Sequence, residues 1–394
     1  MAMEKYLIVN PGSASKKYAL FNNKGEKLIS FHFEKEGKRF IATTNFGGRS
    51  QISIFGGRLI SVFAQDFVFK TLIEKNIIIA KEEIITCGVR IVAPGKFFAV
   101  HRVLDNKFLA KLKEANTAAP LHIGPALEEI RSAIKFFPKA KIIAVSDSAF
   151  YDALPLRSKF YGLPVKDCKK FGIYRFGYHG ISMTSILNKL KSFGRLPERI
   201  IVCHLGGGVT VSAVKKGLPI DTSMGFTPLE GALMATRPGD IDAGAVLYLA
   251  KKKKFNFEQL ENYLNKECGL LGLSGLSSDI RELLAKEKKD KNAKLALEIF
   301  VYRLAKYIGS YIASLGGLDL LIFSATIGER SSIMRNRICR YLEHFGVVLD
   351  PNKNKKMITQ PTLICHDKSK VKIAVTPTDE MTEMYRVSKS FSSD

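Results

Sequence analysis

Short runs of branched apolar residues, bounded by glycine, proline or aspartate, predict strands at Tyr6–Asn10, Ile142–Ser146, Ile200–His204, Val209–Val214, Leu318–Ser324 and Val371–Thr376. Elsewhere the apolar period lengthens. Leu297, Val301, Leu304, Ile308 and Ile312 recur every three or four residues until Gly316 and Gly317, which predicts a helix over Asn292–Leu315 with that stripe in the core. Strand-like and helix-like segments alternate throughout, so the chain is expected to be α/β or mixed α+β.

A faint internal echo suggests how these elements are organised. LIVNPGSASKKYALF near the start and IVCHLGGGVTVSAV at mid-chain each read as strand, glycine turn, strand. Two such units about half a chain apart predict two similar domains, each presenting a glycine turn. A third segment, LLIFSATIGERSSIMRNRI, reads as a buried strand passing through a glycine turn into a helix, a place where backbone N–H groups commonly meet phosphate.

Composition narrows the class. The chain has 394 residues, 46% of them hydrophobic and 25% charged, and no apolar run approaches the ~18–20 residues of a membrane span. The start of the chain enters a strand-like run without an export pattern, which predicts a cytoplasmic protein. The six cysteines, Cys87, Cys168, Cys203, Cys268, Cys339 and Cys365, have neither C-x-x-C nor metal-ligand spacing and read as free buried thiols. A formal charge of +24 would attract anions. The lysines at 251–254 and the mixed charges at 286–291 carry no nucleic-acid motif, so they read as solvated helix ends and loops, and neither nucleic acid nor membrane is an expected partner.

Candidate chemistry begins with absences. The chain has no G-x-x-x-x-G-K-[ST], no G-x-G-x-x-G after a strand, no H-E-x-x-H and no G-x-S-x-G. Turns carrying Asn10, Ser13, Ser15 and Lys17, and Gly206, Gly207 and Gly208, suit a phosphate chain, although unliganded hairpins would look similar. Arg90, His122, Asp147, His179, His204 and Arg237 are polar residues within apolar surroundings. Each alone is equally a core hydrogen bond or buried ion pair; together they describe a site for moving a negatively charged group.

At these residues the chain resembles the acetate kinase family. NPGSASKK, RFGYHGIS, the long segment HLGGGVTVSAVKKGLPIDTSMGFTPLEGALMATRPGDID, NKECGLLGLSGLSSDIR, SATIGERSS and VTPTDEM match in the family's order, from Leu7 to Glu380. The resemblance implies an α/β two-domain fold of the actin, Hsp70 and sugar-kinase type with the active site in the interdomain cleft. It implies an N-terminal domain over 1–148, with 382–394 packing back on it, and a nucleotide-binding domain over 149–381. The implied activity is Mg²⁺-dependent transfer of the ATP γ-phosphoryl group to acetate by a homodimer, with Mn²⁺ as an alternative ion. The alternatives are a propionate or butyrate kinase and, in another class, an inactive nucleotide-binding relative.

Carried over residue by residue, the resemblance puts Asn10 and Glu380 at the metal and phosphates, with Asp147 helping to place the ion. Arg90, Asp147, His179 and Arg237 form the catalytic set. Val92, Leu121, Tyr178 and Pro228 match the acyl pocket, where Arg90 and His122 also meet the substrate. Ser15, Lys17, His204, Gly206, Gly207, Gly208, Asp279, Ile280, Arg281 and Gly328 match the nucleotide site. The chain departs from the pattern at Gly207, Thr326, Ser146, Ala93-Pro94 and Ile123-Gly124-Pro125, which bears on substrate and nucleotide preference.

Overall fold

The computed structural model describes residues 4–12, 15–36, 39–56, 60–116 and 120–392. The chain divides into two compact units, one formed by Met1–Ala149 with Asp379–Asp394, the other by Phe150–Thr378. Each is built on one mixed sheet.

The first sheet runs Arg49–Gly56, Arg39–Phe46, Lys27–Glu36, Ser15–Asn22, Lys5–Pro11, Ile84–Ile91, Lys141–Ser146, Arg102–Val103. The second runs Leu218–Thr222, Val209–Lys215, Arg199–Leu205, Leu320–Ser324, Lys372–Val375, Thr362–Leu363. The internal echo therefore extends further than two turns. In each unit an antiparallel meander, of five strands in the first and three in the second, begins with the central strand, and two later strands add parallel to its other side.

The central strands are buried on both faces, as their unbroken apolar runs require. In the first unit Leu7, Val9, Cys87 and Val89 face a core shared with helix Pro120–Phe136. The opposite face receives helix Glu380–Ser390. Tyr385 of that helix meets Tyr6 edge-on with centroids 5.3 Å apart and stacks on Phe21 at 4.8 Å, while its hydroxyl donates to Asn23 O at 3.2 Å. Gly88 permits this approach, since a Cβ there would run into the Ser388 hydroxyl and Ile8. Between helix Pro120–Phe136 and the sheet lies a buried polar group: Lys16 Nζ reaches Glu129 at 2.6 Å, and the Tyr18 hydroxyl and Gln65 amide donate to the same carboxylate.

In the second unit, helix Lys291–Leu315 buries the predicted stripe and ends at Gly316, whose φ of 72° is left-handed. Helix Gly180–Lys191 sends Met183, Ile186 and Leu187 into a cluster with Ile200, Val202 and Ile322. One local expectation fails. The strand Leu320–Ser324 does not pass through a glycine turn: helix Ala325–Arg330 starts at once, and the sharp step is taken by Ala325 at φ 62°. Gly328 lies inside that short helix, packed on Phe323. Of the six free thiols, Cys268 and Cys365 are only partly buried.

Candidate active site

In each unit the parallel strands end on one edge of the sheet, where side chains converge in open α/β sheets. In the first unit that edge carries Asn10 on the first strand, Arg90 near the end of Ile84–Ile91 and Asp147 just past Ser146. They form a continuous polar chain with Glu380, the first residue of the returning helix. Arg90 donates to Asp147 Oδ2 at 2.8 Å and to Asn10 Oδ1 at 3.1 Å, and Asn10 Nδ2 donates to Glu380 Oε2 at 2.9 Å. Burial works against the Arg90 charge, but Asp147 and Glu380 outweigh it and hold the guanidinium well above its ordinary pKa.

Lys17 stands opposite Asn10 in the antiparallel register and so on its face of the sheet, whereas its neighbour Lys16 points to the core. Ser15 O accepts from Gly12 N–H at 2.8 Å; residues 13 and 14, Ser13 among them, lie outside the described residues. Val92 is buried directly after the Arg90 strand, and His122 is partly buried on helix Pro120–Phe136. The side chain of Leu121 lies outside the described residues.

The second unit assembles another cluster at its own glycine turn. The backbone of Gly206 donates to Gly208 O at 3.0 Å, tightening the link between strands Arg199–Leu205 and Val209–Lys215. A Cβ on Gly208 would lie 2.8 Å from an Arg237 nitrogen and 3.1 Å from the His179 ring, so glycine is required by contact. His179 takes φ 62° at the start of helix Gly180–Lys191 and bonds Thr210 Oγ1 through Nδ1 at 2.7 Å. His204 bonds Ser182 Oγ at 2.8 Å and stacks on His179 with centroids 4.1 Å apart.

Arg237 differs from Arg90. It donates to Pro228 O at 2.8 Å, and no carboxylate among the described residues pairs with it. Asp240 instead serves Gly231 N–H and the Tyr307 hydroxyl, and Asp242 caps the next helix. The guanidinium is surrounded by protein, and burial lowers its pKa to about 10. Tyr178 is buried and donates to Phe226 O at 2.6 Å, and Pro228, two residues after Phe226, is also buried.

Asp279 caps helix Ile280–Lys286, and Arg281 folds back onto its carboxylate at 2.6 Å, lowering the Asp279 pKa. Ile280 is buried and Arg281 is exposed. Sequence reasoning missed the residues that hold these groups. Thr210 and Ser182 orient the two histidines, and Arg335 clamps Gly328 O and Glu329 O at 2.8 Å each. Thr210, a hydroxyl inside the apolar run VTVSAV, was the available signal.

Residues 5–385 match the model of the acetokinase family. The chain belongs to the acetate kinase family. It is 37% identical over 386 residues to the acetate kinase of Bacillus cytotoxicus, covering 96% of each chain. It is 39% identical to that of Carboxydothermus hydrogenoformans, covering 95% of this chain and 96% of that one. Among solved structures, Porphyromonas gingivalis acetate kinase superposes with a TM-score of 0.85 at 32% identity, covering 98% of this chain and 99% of that one. A propionate kinase from Francisella tularensis gives 0.87 at 31%, covering 98% and 100%. The two-unit α/β fold is thus the fold of this family. No described helix is long and apolar enough to cross a membrane.

Proposed function

We propose that the chain transfers the γ-phosphoryl group of ATP reversibly to acetate, giving acetyl phosphate and ADP by direct in-line displacement. Its family makes it a phosphotransferase with a carboxyl acceptor, and its curated relatives at 37% and 39% identity are named for acetate. The observation that carries the site assignment is Arg237, a protein-ringed guanidinium without a carboxylate, set against a glycine turn and His179. A cation held in this way is completed by an anion from solution.

The acetate carboxylate, ionised near pH 7, needs no general base to attack phosphorus. Arg90 holds and orients that carboxylate. Arg237 and the His179 ring donate to the transferring group as its charge spreads over the equatorial oxygens, and Thr210 fixes the His179 ring. Val92, Leu121, Tyr178 and Pro228 bound the acyl tail, and His122 lies beside them. Ser15, Lys17, His204 and Gly206–Gly208 receive the phosphate chain, while Asp279, Ile280, Arg281 and Gly328 receive adenosine. The second unit, Phe150–Thr378, is therefore the nucleotide-binding domain in this reading.

The donor set fits Mg²⁺. Glu380, Asp147 and the Asn10 amide supply only oxygen ligands, the kind this hard cation takes alongside substrate phosphates. Bound there, the ion would neutralise phosphate charge. The reading includes a cytoplasmic homodimer. Helix Ala243–Lys253 buries none of its residues in its own chain, and its Leu247 and Tyr248 are 72% and 63% exposed, an apolar surface suited to a second copy.

One assay tests the reaction. Protein, ATP, Mg²⁺ and a ladder of acetate, propionate and butyrate, trapped with hydroxylamine, should yield acyl hydroxamate only when all components are present and most efficiently with acetate. Equal turnover in metal-free samples would refute the roles of Asn10 and Glu380, and a preference for a longer acid would refute acetate.

A further inference from the structure

Asp147 is set in its orientation by the residues on either side of it. Strand Lys141–Ser146 has a long neighbour on one side and only the two-residue strand Arg102–Val103 on the other, paired with Ala144 and Ile143. That outer ladder stops before Ser146. The N–H of Ser146 donates instead to Nδ1 of His101 at 3.0 Å. Its hydroxyl donates to Phe98 O and accepts the N–H of Ser148 at 3.1 Å. The N–H of Asp147, pointing the other way, donates to Ile91 O at 2.9 Å. Three consecutive residues are thereby pinned: Ser146 to the segment from Phe98 to His101, Asp147 to the neighbouring strand, and Ser148 to Ser146.

We propose that His101 is a positioning residue for phosphoryl transfer: by accepting the Ser146 N–H where the strand has lost its neighbour, it fixes the turn that aims Asp147 at Arg90. The inference rests on the roles proposed above for Asp147 and Arg90. A ring nitrogen that accepts carries no proton, so the imidazole is neutral with its hydrogen on Nε2. Burial favours that form and lowers the His101 pKa to about 4. Ser146 is itself buried, so without His101 its N–H would face no water and the turn would shift to find a partner. A displacement of that kind moves the Asp147 carboxylate relative to Arg90, and misplacement of a reacting constellation is costly in rate.

The test is a double-mutant cycle on kcat, with melting temperature measured on every protein. His101→Phe keeps a planar ring but no acceptor and should lower kcat about 5- to 10-fold, roughly the worth of one buried hydrogen bond. His101→Asn offers an acceptor at the position of Nδ1 and should stay within about 2-fold of the parent. Because His101 acts only through Asp147, His101→Phe should cost nothing further in an Asp147→Asn background. A full additional loss there, or an asparagine variant as slow as the phenylalanine variant, would overturn the proposal. Should the phenylalanine variant fail to fold, Ser146→Ala, which cuts the links to Phe98 and Ser148, enters the same cycle with the same expectation. An Asp147→Asn protein with the parent kcat would overturn the parent role of Asp147 itself, a failure visible before residue 101 is touched.

Discussion

Replacing Arg237 by alanine should nearly abolish catalysis while leaving the fold almost as stable as before. The guanidinium donates to Pro228 O and has no carboxylate partner among the described residues. Burial lowers its pKa to about 10, which at neutral pH corresponds to about 3 kcal/mol of cost in keeping the charge in the folded protein. The cost is full at every pH below 10 and disappears only as the group deprotonates above it. Removing the side chain removes that cost, loses its apolar stem and leaves one carbonyl without its donor, about 1–3 kcal/mol the other way. The two nearly cancel. Loss of a donor aimed at the transferring phosphoryl group, by contrast, is worth about 3–4 kcal/mol, or about 10²- to 10³-fold in kcat. The carboxylate KM should change far less than kcat. The assay pairs steady-state kinetics with thermal unfolding, with and without phosphate: the parent should gain stability from the anion and Arg237→Ala should gain less. A variant that melts many degrees early yet keeps its rate per folded molecule would show that Arg237 is structural and that the reasoning is wrong.

Three further outcomes follow from the packing. Gly88→Ala forces a methyl into the Ser388 hydroxyl and Ile8; unfolding by denaturant should show a loss of about 1–3 kcal/mol, and kcat should fall because the displaced helix carries Glu380. Glu129→Gln takes the 2.6 Å counterion from the buried Lys16 ammonium and leaves it only the half-exposed Glu128 carboxylate at 3.9 Å, so it should destabilise by about 3 kcal/mol; a change below 1 kcal/mol would mean that the pair is solvated. His101 takes up its proton only near pH 4 when folded but near 6.5 when unfolded, so about 3 kcal/mol of stability present above pH 6.5 should be lost as pH falls to 4. Denaturant midpoints across that range should be markedly flatter for His101→Asn.

What could be read in advance were features written in neighbouring residues. Both glycine hairpins, the strands of the parallel ladders other than Ile84–Ile91, and the long helix with its Gly316 stop were visible because each is a local pattern, a short apolar run or a period of 3.6. The meander strand Lys27–Glu36 was equally local, with Ile29, Phe31 and Phe33 alternating, yet its polar alternates hid it. The left-handed Ala325 step gave no signal, since alanine is not a turn residue and only the packing around it holds that conformation. Arg237 could be singled out but not decided: RPGDID offers two aspartates that could have neutralised it, and only the fold shows them occupied elsewhere. The contacts of Lys16 with Glu129 and of Ser146 with His101 join residues 113 and 45 positions apart and leave no periodic trace.

The helix Glu380–Ser390 has a consequence for how the protein is made. It supplies both the Tyr385 packing of the first sheet and the carboxylate that meets Asn10, 370 positions earlier in the chain. As the polypeptide leaves the ribosome, every strand of the first unit emerges before residue 150, but the helix that covers one face of its sheet emerges only after the whole second unit. The first unit must therefore wait through some 230 residues of synthesis, on the order of ten seconds or more at ~5–20 residues per second, with Tyr6, Ile8 and Phe21 uncovered. A nascent or prematurely ended chain lacks Glu380 and holds an exposed apolar face, which makes it both inactive and a substrate for chaperones. Catalytic competence is in this way tied to synthesis of helix Glu380–Ser390.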